Sequence, residues 1–152
     1  MRIKKLSIVL IGVIVGYFIY FAVNGVMTRN ICTTDQCVVI KGDWKKVDLV
    51  SGPKVLSIYK KNIFGEMEDG IDIYPIEKGS VLPKILDAAF KPLYVTPLGA
   101  VGSIDDNNPA IKEKNYSGLF DGKLYIPGKR VLISCQKKSC LDDIVDIRSK
   151  DD

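Results

Sequence analysis

The residues of this chain best able to form new bonds are its four cysteines, and they fall as two C-x4-C pairs. Cys32 and Cys37 lie in RNICTTDQCVVIKG, Cys135 and Cys140 in ISCQKKSC. An even number of thiols in an oxidising compartment reads as two disulfides, for which three connectivities are open. Local pairs would each close a ring of about six residues and contribute roughly 2 kcal/mol, whereas crossed pairs would span about 100 residues and contribute roughly 4 to 5 kcal/mol. The polar inserts Thr33-Thr34-Asp35-Gln36 and Gln136-Lys137-Lys138-Ser139 have turn chemistry and favour the local loops. A four-cysteine zinc site is more often built on C-x2-C knuckles and needs reduced thiolates. Thiol redox catalysis generally uses C-x-x-C at a helix start. Structural bridges are the expectation, with no metal and no cofactor.

The chain has no histidine, which removes Ser-His-Asp and Cys-His nucleophiles, histidine-ligated metals and imidazole proton transfer together. A Ser-Lys dyad or a carboxylate pair remains open; serines and lysines are plentiful, but no pair of them stands out. The clusters Glu66/Glu68/Asp69, Asp105/Asp106 and Asp142/Asp143 lack the D-x-D-x-D-G-x5-E spacing of a calcium loop and read as solvated turns. GAVGS matches neither phosphate-loop spacing. Trp44 and the seven tyrosines suit either a binding face or cross-strand packing, with Trp44 placed as a strand start. Asn115-Tyr116-Ser117 matches a glycosylation acceptor, a pattern frequent by chance.

Twenty-two basic and eighteen acidic residues give a net charge of +4. Arg2, Lys4 and Lys5 are three of those cations, and no acid precedes residue 29, so the remainder is nearly neutral at +1. No basic stripe is present to neutralise a row of phosphates, and no nucleic-acid partner is expected. The charge asymmetry belongs instead to the first 28 residues, where three cations precede an uncharged run from Leu6 onward. That run is long enough to cross a bilayer core of about 30 Å.

A cleaved signal peptide usually has an apolar region of about 7 to 15 residues and a small-x-small cleavage site. Here the run is longer and Val23-Asn24-Gly25 is a poor site, so a retained anchor is preferred. The cations before the run place residues 1–5 in the cytoplasm, 6–28 in the membrane and 29–152 outside. Gly12 and Gly16 form a G-x-x-x-G step through which two such helices could associate.

Beyond the anchor, 124 residues are enough for a core without help from disulfides. Alternating apolar segments (CVVIK, WKKVDLV, KVLSIYK, IDIYPI, KLYIP, RVLISC and DIVDIR) read as strands. Turns are expected at Gly42-Asp43, Ser51-Gly52-Pro53, Asp69-Gly70, Asp121-Gly122 and Pro127-Gly128. SVLPKILDAAFKP predicts one helix, capped by Ser80, with Pro83 in its first turn and Pro92 as its stop. Residues 96–118 read as a long loop, either a binding loop or an unrecognised strand.

The expected architecture is therefore α+β: an N-terminal transmembrane helix, then a small, mainly antiparallel, disulfide-braced sheet domain with one short helix. The expected function is that of a non-enzymatic interaction module in the cell inner membrane, its C-terminal domain periplasmic. Its partner would be another envelope protein or an incoming protein, as for an accessory subunit of a secretion assembly or an immunity-type inhibitor. The alternative is a histidine-free exported enzyme of the Ser-Lys or carboxylate-pair type. A eukaryotic single-span protein would carry the same signals.

Overall fold

The computed structural model describes residues 2–48, 54–137 and 140–150. The expected turn at Ser51-Gly52-Pro53, and Lys138-Ser139 of the second cysteine loop, lie outside the described residues. The first element is the 25-residue helix α1 (Arg2–Val26). Its segment Lys4–Val23 has a mean hydropathy of 2.5 and buries nothing against the rest of the chain, so it is long and apolar enough to span a membrane.

Ten strands follow among the described residues, in two antiparallel sheets. The smaller sheet has the order β1-β2-β10, from β1 (Thr28–Cys32), β2 (Gln36–Lys41) and β10 (Ile144–Ser149). The larger has the order β3-β4-β5-β9-β8-β7-β6. Its strands are β3 (Trp44–Lys46), β4 (Leu56–Lys61), β5 (Met67–Pro75), β6 (Phe90–Thr96), β7 (Gly99–Ile104), β8 (Lys123–Ile126) and β9 (Val131–Cys135). Short helices α2 (Leu82–Ala88) and α3 (Pro109–Glu113) complete the α+β fold.

Period-two patterning decides which sheet face meets which layer. Val38 and Ile40 of β2 and Ile147 of β10 pack on Leu56, Ile58, Ile71, Ile73 and Ile133 of the large sheet. On the opposite face, Tyr125 and Leu132 join Leu86 of α2, Ile111 of α3 and Phe120 in a second core. Tyr125 is fully buried, packs edge to face on Phe90, and donates its hydroxyl to Asp87 Oδ1 at 2.7 Å. Burial and that carboxylate push its phenol well above the ordinary range.

Both cysteine pairs stand at disulfide distance within their own C-x4-C segments. Cys32 and Cys37 face each other across β1 and β2, while Cys135–Cys140 ties the end of β9 to the 3-10 turn Cys140–Asp143 that leads into β10. The hairpin expected around Pro127-Gly128 is present as β8, a 3-10 turn and β9. Trp44 does start a strand and is 2% exposed in the core.

Four local expectations are overturned. Asp69-Gly70 is not a turn but lies inside β5, where a Cβ on residue 70 would stand 3.1 Å from the Gln136 side chain. The reversal comes earlier, at Asn62–Gly65, with Gly65 at φ +80°. Ser80 does not cap α2; its Oγ donates to Glu77 O at 3.0 Å, one turn before the helix begins. Pro92 does not stop the helix, which ends at Ala88, but sits beside a bulge in β6, an edge strand where a missing N–H is tolerated.

The stretch 96–118 is no structureless loop: it holds β7 and α3, capped by Asn108, whose Oδ1 accepts from Ala110 N at 3.0 Å. β7 was hard to read because Gly102 weakens its apolar pattern. A Cβ there would fall 2.0 Å from Lys91 O, so only glycine permits β6 to lie this close.

Two expectations follow. Gly102→Ala should cost about 3 kcal/mol, by forcing β6 away from β7. The readout is a lower urea midpoint for the full chain in detergent; an unchanged midpoint would contradict the close approach. Peptide mapping of the unreduced protein should return Cys32–Cys37 and Cys135–Cys140, and any long-range pair would refute the arrangement described above.

Candidate functional site

The chain leaves α1 at Met27, and β1 carries it away from the helix, so the β1–β2 turn lies about 17 Å along the strand from that exit. At this far end the turn meets the residues after β5, the β8–β9 connection and the end of β10, enclosing a groove of about 1010 Å³. Lys54, Lys78, Lys129, Arg130 and Arg148 line it, against Asp35 and Glu77. In a domain with almost no net charge, this is a local concentration of cations.

The cations are held rather than loose. Asp146, just behind the groove, accepts from Arg148 Nε at 2.7 Å and Lys129 Nζ at 2.6 Å, and from the Ile147 N–H at 2.9 Å. These contacts, Arg148 first, lower the Asp146 carboxyl to about 2. Lys54 pairs with Glu77. Arg130 adopts a left-handed backbone at φ 51°, and its carbonyl accepts from Ile76 N at 2.9 Å, joining two walls of the groove.

Gln36, 3% exposed, forms part of the same wall. Its Nε2 donates to the carbonyls of Ile73 at 3.1 Å and Lys54 at 3.4 Å, which fixes the amide orientation. Its Oε1 is then a buried acceptor with no partner among the described residues. A group of this kind favours a ligand that brings a donor. The site can therefore take anionic groups at its rim and an N–H or O–H beside Gln36.

Serine, lysine and carboxylate side chains that stand near one another fall elsewhere. Ser57, Asp72, Ser134 and Lys123 stand in one row across four neighbouring strands of the large sheet. Ser57 Oγ is 2.5 Å from Asp72 Oδ1. Lys123 lies beside Ser134 but its Nζ donates to Leu119 O at 3.0 Å and sits 5.4 Å from the Tyr74 ring centroid. Its Nζ is thus engaged by a carbonyl and an aromatic face, with no hydrogen bond to Ser134.

The structure does bring two acidic clusters together, Glu68/Asp69 and Asp142/Asp143, around a cleft of about 220 Å³ that Lys60 and Lys137 also line. Asp143 there accepts from Trp44 Nε1 at 3.1 Å and lies 3.9 Å from Lys60 Nζ, so it serves as an anchor for the core tryptophan. Among the described residues no group of three or more acidic or sulfur ligands is placed to hold a metal ion. The cysteines mark none of these clefts. The groove was not visible in the sequence because its cations come from four separate segments; only the run Gly128-Lys129-Arg130 hinted at it.

Asp146 supplies a pH test. Its folded pKa lies below the unfolded value of about 3.9, so its contribution is full above about pH 4 and is lost as pH falls toward 2. Asp146→Asn should cost about 1 kcal/mol at pH 7 and only a small part of that at pH 2, measured by urea unfolding. Equal losses at both pH values would show that the carboxylate charge is not the source. No family model matches the chain, and no curated protein or solved structure matches it.

Proposed function

We propose that this chain is a single-span inner-membrane protein whose periplasmic domain binds an acidic segment of another envelope protein or of an incoming protein. One observation carries the reading: five cations converge on a groove at the end of the domain remote from the helix that would anchor it. A tethered domain that offers its binding surface away from the bilayer suits a partner arriving from outside. The carboxylates of such a segment would meet Lys129, Arg130 and Arg148, while its backbone N–H groups could supply the donor that Gln36 Oε1 lacks. Cations at a groove rim steer encounter and set specificity more than they set affinity.

The histidine-free enzyme is the second reading, and the cleft that unites Glu68, Asp69, Asp142 and Asp143 is the observation that favours it. The engagement of Asp143 by Trp44 and Lys60 weighs against free proton transfer at that carboxylate.

The test is site-specific photocrosslinking in living cells from position 78 at the groove rim, followed by mass spectrometry. A single exported partner with an acidic segment is expected. Arg130→Glu combined with Lys54→Glu should weaken its binding at least about tenfold, roughly 1.4 kcal/mol, with the loss concentrated in the on-rate at low salt. Crosslinks confined to the protein itself, or a partner indifferent to both reversals, would overturn the proposal.

A further inference from the structure

Hairpin apexes usually carry Asn, Gly, Asp or Ser, which tolerate the backbone of a tight turn and face water. The β4–β5 hairpin instead places Ile63 and Phe64 at its apex, 79% and 81% exposed. The turn beneath them is firmly built. Asn62 Oδ1 accepts from the N–H groups of Phe64 at 2.9 Å and Glu66 at 3.0 Å. Asn62 N donates to Glu66 O at 2.9 Å, and Gly65, at φ +80°, donates to Asn62 O at 3.0 Å. Two large apolar side chains are thus held outward on a closed frame, with no cover from the rest of the fold.

The position of this apex is what gives it meaning. β1 leads away from α1, β2 returns antiparallel to it, and Gly42 N donates to Met27 O at 3.1 Å, one residue beyond the end of the helix. The Arg29–Asp43 ion pair at 2.9 Å fixes the reversal there. β3 then leaves from Trp44, and β4, antiparallel to β3, runs back to the same end. Lys60 Nζ lies 3.8 Å from where a Cβ on Gly42 would stand, which sets this part of β4 level with the helix exit. The chain continues three to four residues further before it turns, so Ile63 and Phe64 reach about 10 Å beyond that level on the α1 side.

We infer that Ile63 and Phe64 form a second membrane contact, seated at the head-group boundary of the bilayer that α1 crosses, and that they fix the orientation of the domain on its anchor. The inference rests on reading α1 as a membrane span. A rigid apolar apex beside a membrane helix suits that boundary, where aromatic and aliphatic side chains enter the acyl region while the flanking backbone stays hydrated. Lys60 and Lys61 precede the apex and Glu66 and Glu68 follow it, so the charges nearly cancel and binding does not depend on anionic lipid. With the hairpin seated, the domain stands on two points and the cationic groove at its far end faces away from the surface.

The experiment places an indole at the apex, Phe64→Trp, in the full chain reconstituted into phosphatidylcholine vesicles with or without brominated acyl chains. The unsubstituted chain, with Trp44 alone, supplies the background, and Val81→Trp, exposed beyond the far end of β5, supplies the comparison. The added apex emission should be blue-shifted and lose most of its intensity to the bromines, in neutral and anionic vesicles alike, while emission from position 81 stays unquenched. An apex indole as unquenched as that at position 81, in a chain that resists carbonate extraction, overturns this inference alone. A blue shift without quenching would assign the apex to a protein contact and overturn it equally. A chain released by carbonate would refute the membrane span itself.

Discussion

The fold depends on one apolar contact, that of the three-stranded sheet on the large one. Three short strands depend on a packed apolar face for stability, and here they come from the two ends of the domain: β1 and β2 from its start, β10 from its finish. What holds them is the row of Val38, Ile40 and Ile147 against Leu56, Ile58, Ile71, Ile73 and Ile133, side chains that are buried almost completely. Removal of this contact would expose both layers and leave β10 without a template. Because the strands that meet are distant in sequence, the contact carries a loop-closure entropy cost that its buried area must offset.

That closure also creates the cationic groove. The groove exists because β10 ends beside the β1–β2 turn, which brings Arg148 and Asp146 next to Lys129 and Arg130 of the β8–β9 connection. The cysteine pairs sit near the corners of the same arrangement. One closes the β1–β2 turn at the groove end; the other anchors the 3-10 turn that aims β10 into the small sheet. Their part is to hold the ends of these strands where the core needs them, and neither pair lines the groove or the acidic cleft.

The two ends of the domain differ in chemistry. At the end where α1 leaves, the exposed groups include an apolar hairpin apex; at the other, a set of paired cations surrounds a buried amide. On the proposed reading, the apolar apex would lie close to lipid, where it would not drive aggregation in water, and the cations would give specificity toward a protein partner. Histidine-dependent chemistry is absent from both ends, and Lys123, which stands opposite Ser134, is engaged by a carbonyl and an aromatic face.

Much of the fold class was legible from the chain alone. The apolar run preceding a nearly neutral domain, the alternating strand segments and the Pro-Gly hairpin rest on local periodicity and turn chemistry, which a sequence displays directly. So does the absence of imidazole chemistry. What escaped was set by neighbours distant in sequence. β7 reads as a loop because Gly102 answers to Lys91 O across the sheet, and β6 hides behind a proline that an edge strand tolerates. The true β4–β5 turn was overlooked because its apex is apolar. The groove was invisible because convergence of Lys54, Arg130 and Arg148 is a property of strand order. Sequence fixes periods and propensities along the chain, but only the packing of two sheets decides which charges become neighbours.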